Sequence, residues 1–520
     1  MGVRASVVGC CLVLVACAGG DGGTAEDTGN GTTSDGARAP STLAGSTTTA
    51  FPSTSAAPPT TGQIATTRTD WPCPPDTPPG AQCHRLDVPA DWSDPSSARV
   101  SLPIAVLPAS GPAARDDAIV IPAGGPGGEA LGAAGYWRES ALARDRDIVL
   151  YDQRGTGQAQ PGLECPERDE AFVANLQRDE PFDVERQAIV TAYAACRQRL
   201  EASGVDFDDY DSEASVRDLD AIREALGYES WNLLGISYGA RLTLAAMRSA
   251  PEHLRSVILD SVYDVTAGGI GQTAVDAERA FQQLVDGCAA DATCATAHPD
   301  LGATINAVND RYNATPIVVD ADIEDGAGLR TFVITGDDAL GGLFNALYDA
   351  SLIPLLPSIL EALAAGETAI VPELIRRGVG FATQFSDGMQ ASVNCADNAG
   401  LDQSMDEQAV ADPGRTALLV TDIICSEWPV EATSDTFNEP VLSDVPALVL
   451  AGLYDPVTPP AGTEAVASQL TNATFGLWPN QGHGVTGEPC ATAVELAFLD
   501  DPSAPVDLSC LAKVPGPAFA

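Results

Sequence analysis

The pentapeptide Gly235-Ile236-Ser237-Tyr238-Gly239 sets one hydroxyl between two glycines, a spacing that suits a serine nucleophile. An apolar run, Trp231–Leu234, precedes it, and a helical pattern over Tyr238–Ser249 follows and stops at Pro251. Such a strand–turn–helix context is what the spacing requires. The turn must be sharp, and glycine two positions to either side lets the strand and helix backbones close on each other. The hydroxyl is then raised at a helix N-terminus, where the dipole favours negative charge.

A serine hydroxyl needs a base to take its proton. The chain has four histidines. His84 adjoins Cys83, ahead of the first core strand. His253 follows the helix behind Ser237, and His298 neighbours Cys294. His483 stands in Gln481-Gly482-His483-Gly484, a glycine-flanked loop after the last strand pattern. With a chain order of serine, acid, histidine, His253 comes too soon to leave room for an acid on a later strand. His298 and His483 remain, and the loop favours His483. Asp455 follows the apolar run Ala447–Ala451 and opens the rigid turn Asp455-Pro456-Val457-Thr458-Pro459. It suits an acid that orients the imidazole and stabilises its protonated form. Asp-Pro also suits a turn former or a helix cap.

Gly124-Gly125-Pro126-Gly127-Gly128 directly follows the apolar run Ala118–Pro122. Clustered glycines free backbone N–H groups to approach a substrate oxygen. The amides of Gly125 and Tyr238 are the expected oxyanion donors, each worth roughly 3 kcal/mol to a transition state. No Lys-Ser/Thr follows, so the stretch is not a phosphate loop. No C-x-x-C pair accompanies the four histidines, so neither a metal site nor a cofactor is expected.

These residues need strands and helices to carry them. Short apolar or alternating runs at Val100–Leu107, Ala118–Pro122, Asp147–Tyr151, Trp231–Ile236, Ser256–Leu259, Ala447–Ala451 and Ala473–Trp478 read as strands. Val216, Leu219, Ile222 and Leu226 form a helical stripe, with Asp211 or Ser212 as its cap. The alternation predicts an α/β fold: a mostly parallel sheet with helices on both faces. It breaks over 267–440, where helix-like segments at Ala274–Gly287, Ala339–Leu363 and Ile370–Ser386 predict an inserted, mainly helical cap over the sheet's C-terminal edge. The core is then 70–266 and 441–520.

The 520 residues hold 27 Lys+Arg and 72 Asp+Glu, a net charge of −45. Nucleic-acid phosphates repel such a chain, which excludes nucleic-acid binding as its main role. Residues 1–16 read as a signal peptide, with Arg4 ahead of a short apolar run. The tetrapeptide Leu14-Val15-Ala16-Cys17 resembles a bacterial lipobox, so Cys17 is the expected lipid attachment point and membrane anchor. Residues 17–69, rich in Thr, Ser, Gly, Ala and Pro, read as a disordered tether. Of 13 cysteines, ten remain once Cys10, Cys11 and Cys17 are set aside. In chain order they fall as neighbours: Cys73/Cys83, Cys165/Cys196, Cys288/Cys294, Cys395/Cys425 and Cys490/Cys510. Order alone does not fix connectivity, but bridges of this kind persist in an oxidising, exported setting.

Together the Gly124–Gly128, Tyr151–Gly157, Gly235–Gly239 (with Arg241), Asp455–Pro459 and Gly482–Gly484 stretches resemble the α/β-hydrolase superfamily. Within it they are similar to the exported tripeptidyl- and prolyl-aminopeptidases of actinobacteria, the S33 type. The resemblance runs from about Trp71 to Cys510, and Cys490 and Cys510 fit its C-terminal region. It departs at Ala123, where prolyl aminopeptidases carry a His. It implies release of short N-terminal pieces from peptides, and a cap that reads the free amine. Glu129, Asp260 and Asp397 are candidates, by position, to hold that ammonium; each is also an ordinary capping or solvated acid. Asp152 and Arg154 are expected to brace the loop after their strand. Two other readings stand beside the peptidase: a carboxylesterase of the same fold, since one triad serves amides and esters, and a non-catalytic surface binding protein. Intact Ser237, Asp455 and His483 argue against the last.

Overall fold

The computed structural model describes residues 66–112, 114–264, 273–323, 326, 328–401 and 421–520. The stretch read as a signal peptide (1–16), the expected lipid site Cys17 and nearly all of the stretch read as a tether (17–69) lie outside the described residues. The strands are β1 (Thr67–Asp70), β2 (Gln82–Pro89), β3 (Arg99–Leu107), β4 (Ile119–Ile121), β5 (Ile148–Tyr151), β6 (Trp231–Ile236), β7 (Leu254–Asp260), β8 (Ile317–Ala321), β9 (Arg330–Ile334), β10 (Ala447–Gly452) and β11 (Ala473–Trp478). Nine form one sheet in the order β1-β2-β3-β5-β4-β6-β7-β10-β11. The β1, β2, β3 and β5 pairs are antiparallel. From β5 through β11 every pair is parallel.

The parallel strands are apolar because both faces are covered. Leu233, Val257 and Val449 face one core, while Leu234, Ile258, Leu448 and Leu450 face the other. The helix Ser212–Leu226 buries Val216, Leu219 and Ile222 on the first face, and its cap is Asp211, which accepts the Ala214 amide at 2.6 Å. The helix Tyr238–Ser249 packs beside it. The helix Pro489–Asp500 buries Val494 and Phe498 on the opposite face.

Three local expectations are corrected. Thr67–Thr69, assigned above to the tether, belong to edge strand β1, where Thr67 pairs with Asp87 and Arg68 donates to the Ala225 carbonyl at 2.6 Å. The single helical stretch at Ala339–Leu363 is two helices, Gly336–Ala346 and Leu356–Ala365. Pro354 and Pro357 cannot continue a helix through its interior and fall instead at the starts of new turns. The segment between β7 and β10 also holds the antiparallel hairpin β8–β9, whose β-branched and aromatic residues join that segment's own core through Ile317, Phe332 and Ile334.

Five disulfides tie the fold: Cys73–Cys83, Cys165–Cys196, Cys288–Cys294, Cys395–Cys425 and Cys490–Cys510. No described helix is long and apolar enough to cross a membrane.

Candidate active site

Ser237 follows β6 and caps the helix Tyr238–Ser249 with φ 61° and ψ −125°, a backbone conformation a non-glycine residue rarely adopts. The crowding around it explains the flanking glycines. A Cβ on Gly235 would lie 2.2 Å from the Gly239 carbonyl oxygen, and one on Gly239 would lie 2.3 Å from that of Pro122. Tyr238 is the first helical residue, so its amide has no acceptor within the helix. Among the described residues no hydrogen bond is formed to the Ser237 hydroxyl. In free hydrolases such bonds are commonly long and tighten when substrate binds.

Asp455 and His483 meet at the ends of β10 and β11. The fully buried Asp455 carboxylate accepts the amides of Val457 (3.0 Å) and Thr458 (2.8 Å) on Oδ1. Its Oδ2 accepts the Thr458 hydroxyl at 2.7 Å and lies 2.9 Å from His483 Nδ1. A carboxylate can only accept, so Nδ1 carries the proton and Nε2 keeps the lone pair that a base needs. Burial alone would raise the Asp455 pKa, but the charge and hydrogen bond of His483, with the Thr458 bonds, hold it below the usual carboxylate value. Burial would lower His483. The Asp455 charge and hydrogen bond, helped by Asp260, outweigh it and raise the imidazole above its ordinary value. Arg279 donates to the Asp455 carbonyl from the helix Thr273–Ala290.

The His483 loop lies against the serine turn: a Cβ on Gly484 would sit 3.6 Å from Ile236 Cγ2. The glycine stretch closes the other side. A Cβ on Gly124 would sit 3.5 Å from Ser237 Cβ and 4.0 Å from its Oγ, and Gly125 takes φ 117°, open to glycine alone. Gln153 Nε2 ties this stretch down at the Ala123 carbonyl, 2.9 Å away. Asp152 accepts the amides of Ala130 (2.8 Å), Leu131 (3.0 Å) and Gln158 (2.9 Å). Buried Arg154 makes two 2.7 Å bonds to Asp218. Both residues brace the loop.

The other histidines sit against other acids: His84 on Asp70 (3.1 Å), His253 on Asp220 (2.6 Å) and His298 near Glu361 (3.7 Å). The three ammonium candidates separate. Asp260 is fully buried and accepts the amides of Val485 (3.0 and 2.7 Å) and Thr486 (2.7 Å), while Ser261 Oγ accepts that of Gly484 at 2.9 Å. Asp397, also buried, accepts the Ser212 hydroxyl at 2.5 Å, lies 3.7 Å from Arg241 Nε, and is pushed up to about 7, chiefly by burial. The same Ser212 hydroxyl is 2.8 Å from the Tyr238 phenol oxygen. Neither acid is open to a substrate amine; only Glu129 is exposed.

Two neighbours of the imidazole escaped the reading of the sequence. Thr458 shares the Asp455 oxygen and lies 3.2 Å from His483 Nδ1; its signal was its place three residues after the acid. Tyr348 sets its ring edge-on to His483, 5.0 Å between centroids, and no local signal marked it.

A strained serine at a strand-to-helix turn, beside an acid–imidazole pair on later strand ends, defines a serine hydrolase built on a mostly parallel sheet. The chain belongs to the alpha/beta hydrolase fold family, whose pattern matches residues 117–486. It is 27% identical over 462 residues to a protein named serine protease Hip1 of Mycobacterium tuberculosis, covering 81% of this chain and 85% of that one. Carboxylesterase B of the same organism is 28% identical over 463 residues, covering 83% and 86%. A tripeptidyl aminopeptidase of Streptomyces lividans is 30% identical over 227 residues, covering 41% and 40%.

Proposed function

We propose that this serine hydrolase is an extracytoplasmic aminopeptidase of the S33 type, releasing short N-terminal pieces (tripeptidyl, dipeptidyl or prolyl) from peptides. The observation that carries the reading is the 2.9 Å bond between Asp455 and His483 beside the strained Ser237. Ser237 Oγ attacks the scissile carbonyl while His483 Nε2 takes its proton. The amides of Gly125 and Tyr238 receive the oxyanion. The imidazolium, stabilised by Asp455, returns the proton to the departing amine, which leaves an ester on Ser237. Water, deprotonated by His483, then attacks that ester and frees the enzyme. The segment 267–440 acts as the cap: Tyr348 lies on His483, and Phe385 Cδ1 lies 3.1 Å from where a Cβ on Gly125 would be. Five disulfides favour an oxidising compartment, and a signal peptide over 1–16, a lipid on Cys17 and a tether over 17–69 would hold the enzyme outside the membrane.

A fluorophosphonate probe should label the wild type and leave Ser237→Ala unlabelled; equal labelling of the two overturns the nucleophile. A panel of peptide anilides should be cleaved faster with a free N-terminus than with an acetyl-blocked one. The relative named carboxylesterase B, matched over 83% of the chain, favours a second reading as an esterase. Faster turnover of blocked peptides or simple acyl esters would select it.

A further inference from the structure

A second buried acid lies under the His483 loop and takes no part in the steps above. Glu495 sits on the helix Pro489–Asp500 and is fully buried. Its Oε1 accepts a 2.7 Å bond from the Thr486 hydroxyl, and its Oε2 has no partner among the described residues. Thr486 stands three residues after His483, and its amide donates to Asp260 Oδ2 at 2.7 Å, beside the Val485 amide on the same carboxylate. The loop is therefore suspended between two carboxyl groups. Asp260 takes its amides and Glu495 its hydroxyl.

The two acids are not equivalent. Two amides donate to Asp260, that of Val485 reaching both oxygens, and they favour its charged form against the burial that raises it. One hydroxyl bond and one bare oxygen in a dry interior suit the neutral acid, and that is the position of Glu495. Three charged groups face this place. Asp260 ends β7, with His483 beyond it. Glu488 caps the helix, and its Oε2 is occupied by Trp478 Nε1 (2.8 Å) and the Ala491 amide (2.9 Å). Among the described residues, the charges acting on Glu495 are those of Asp260 and Glu488, both acidic. Burial, opposed by the Thr486 bond and reinforced by the charges of Asp260 and Glu488, pushes Glu495 up to about 8.

We propose that Glu495 is a positioning residue for His483, holding its loop through Thr486 as a neutral acid, and that loss of its proton disturbs the loop and limits activity on the alkaline side. The inference rests on His483 as the base and not on the choice between peptide and ester.

The test is the rate of fluorophosphonate labelling across the neutral-to-alkaline range, in the full-length protein and in Glu495→Gln, Thr486→Val and Ser237→Ala. The wild-type rate should rise as His483 loses its proton and fall again near pH 8. Glu495→Gln cannot ionise, so it should keep the rise and lose the fall. At the alkaline end it should label about fivefold faster, relative to its own maximum, than the wild type. Thr486→Val cuts the link and should lose the alkaline fall even with Glu495 intact, which serves as the test if Glu495→Gln does not fold. An alkaline fall that persists unchanged in either variant overturns the proposal. So does a lower maximum in Glu495→Gln with the same pH profile, the mark of a structural role only. Labelling that survives in Ser237→Ala overturns the nucleophile along with it, which separates that failure from the failure of Glu495 alone.

Discussion

Asp260 and Asp455 lie at the ends of neighbouring parallel strands, β7 and β10, and both are fully buried. One works on the backbone and the other on a ring. Asp455 meets the imidazole of His483 itself, and its remaining capacity is filled by Thr458 and Val457. Asp260 meets the amides of Val485 and Thr486, the two residues after Gly484, and so sets the path of the loop that carries the ring. The difference teaches that burial and position at a strand end do not give a carboxylate its role; the donor it faces does. The His483 imidazole, with the Thr458 bonds, holds Asp455 below the usual carboxylate value, and in the proposed mechanism that imidazole becomes cationic. Burial raises Asp260 above the usual carboxylate value, against the pull of the Thr486 and Val485 amides.

That division predicts unequal losses. Asp455→Asn leaves a group that can no longer stabilise the imidazolium, and kcat should fall by about 10⁴-fold, far more than its loss of stability accounts for. Asp260→Asn removes charge-assisted bonds to the loop, so it should destabilise the fold by about 2–4 kcal/mol and lower kcat/KM by only about 10–100-fold. Equal kcat losses at unchanged stability would erase the distinction. Steady-state kinetics paired with thermal melts measures both.

The pH dependence sharpens it. His483 is raised, so kcat/KM should climb through a pKa above 6.5. In Asp455→Asn the charge that raises the ring is gone, and the residual activity should climb at lower pH. The stability terms have opposite signs. A raised His483 stabilises the fold fully below its unfolded value and loses that contribution as pH rises through its folded value. A lowered Asp455 stabilises above its unfolded value and loses the contribution as pH falls through its folded value. Melting curves across the acid and neutral ranges should show both slopes, and Asp455→Asn should remove the acid one.

What could be read from the sequence follows from the range of the forces involved. The serine turn was legible because Gly235 answers a clash with Gly239 inside the same five residues, although Gly239 itself makes room for the distant Pro122 carbonyl. The seven core strands expected from apolar runs all lie in the large sheet, since burial on both faces writes itself locally as hydrophobicity. Strands β1 and β2 were missed because their partners hold them, while the hairpin β8–β9 has strand-like runs, Ile317–Val319 and Thr331–Ile334, inside a stretch read as helical. Asp260 was weighed for the wrong task because the amides that claim it come from residues 485 and 486, over 200 positions away. Tyr348 had no signal for the same reason: only the folded insert brings its ring to His483.

Thr458 is the finest test of the contrast, because it serves the ring-facing acid alone. Its hydroxyl gives Asp455 Oδ2 a second bond at 2.7 Å and stands 3.2 Å from His483 Nδ1. Thr458→Val keeps the shape and the amide bond and removes only the hydroxyl. Losing one such bond costs about 1–2 kcal/mol, so kcat should fall by roughly tenfold. Thr458→Ser, which restores a hydroxyl without the methyl, should recover most of it. Asp455 would then have one bond fewer favouring its charged form, and its pKa should rise in Thr458→Val, moving the acid slope of the melting curves to higher pH. If Thr458→Val instead lowers stability at every pH and leaves kcat intact, the hydroxyl is a packing feature of the turn, and the carboxylate needs only the two amides and the ring.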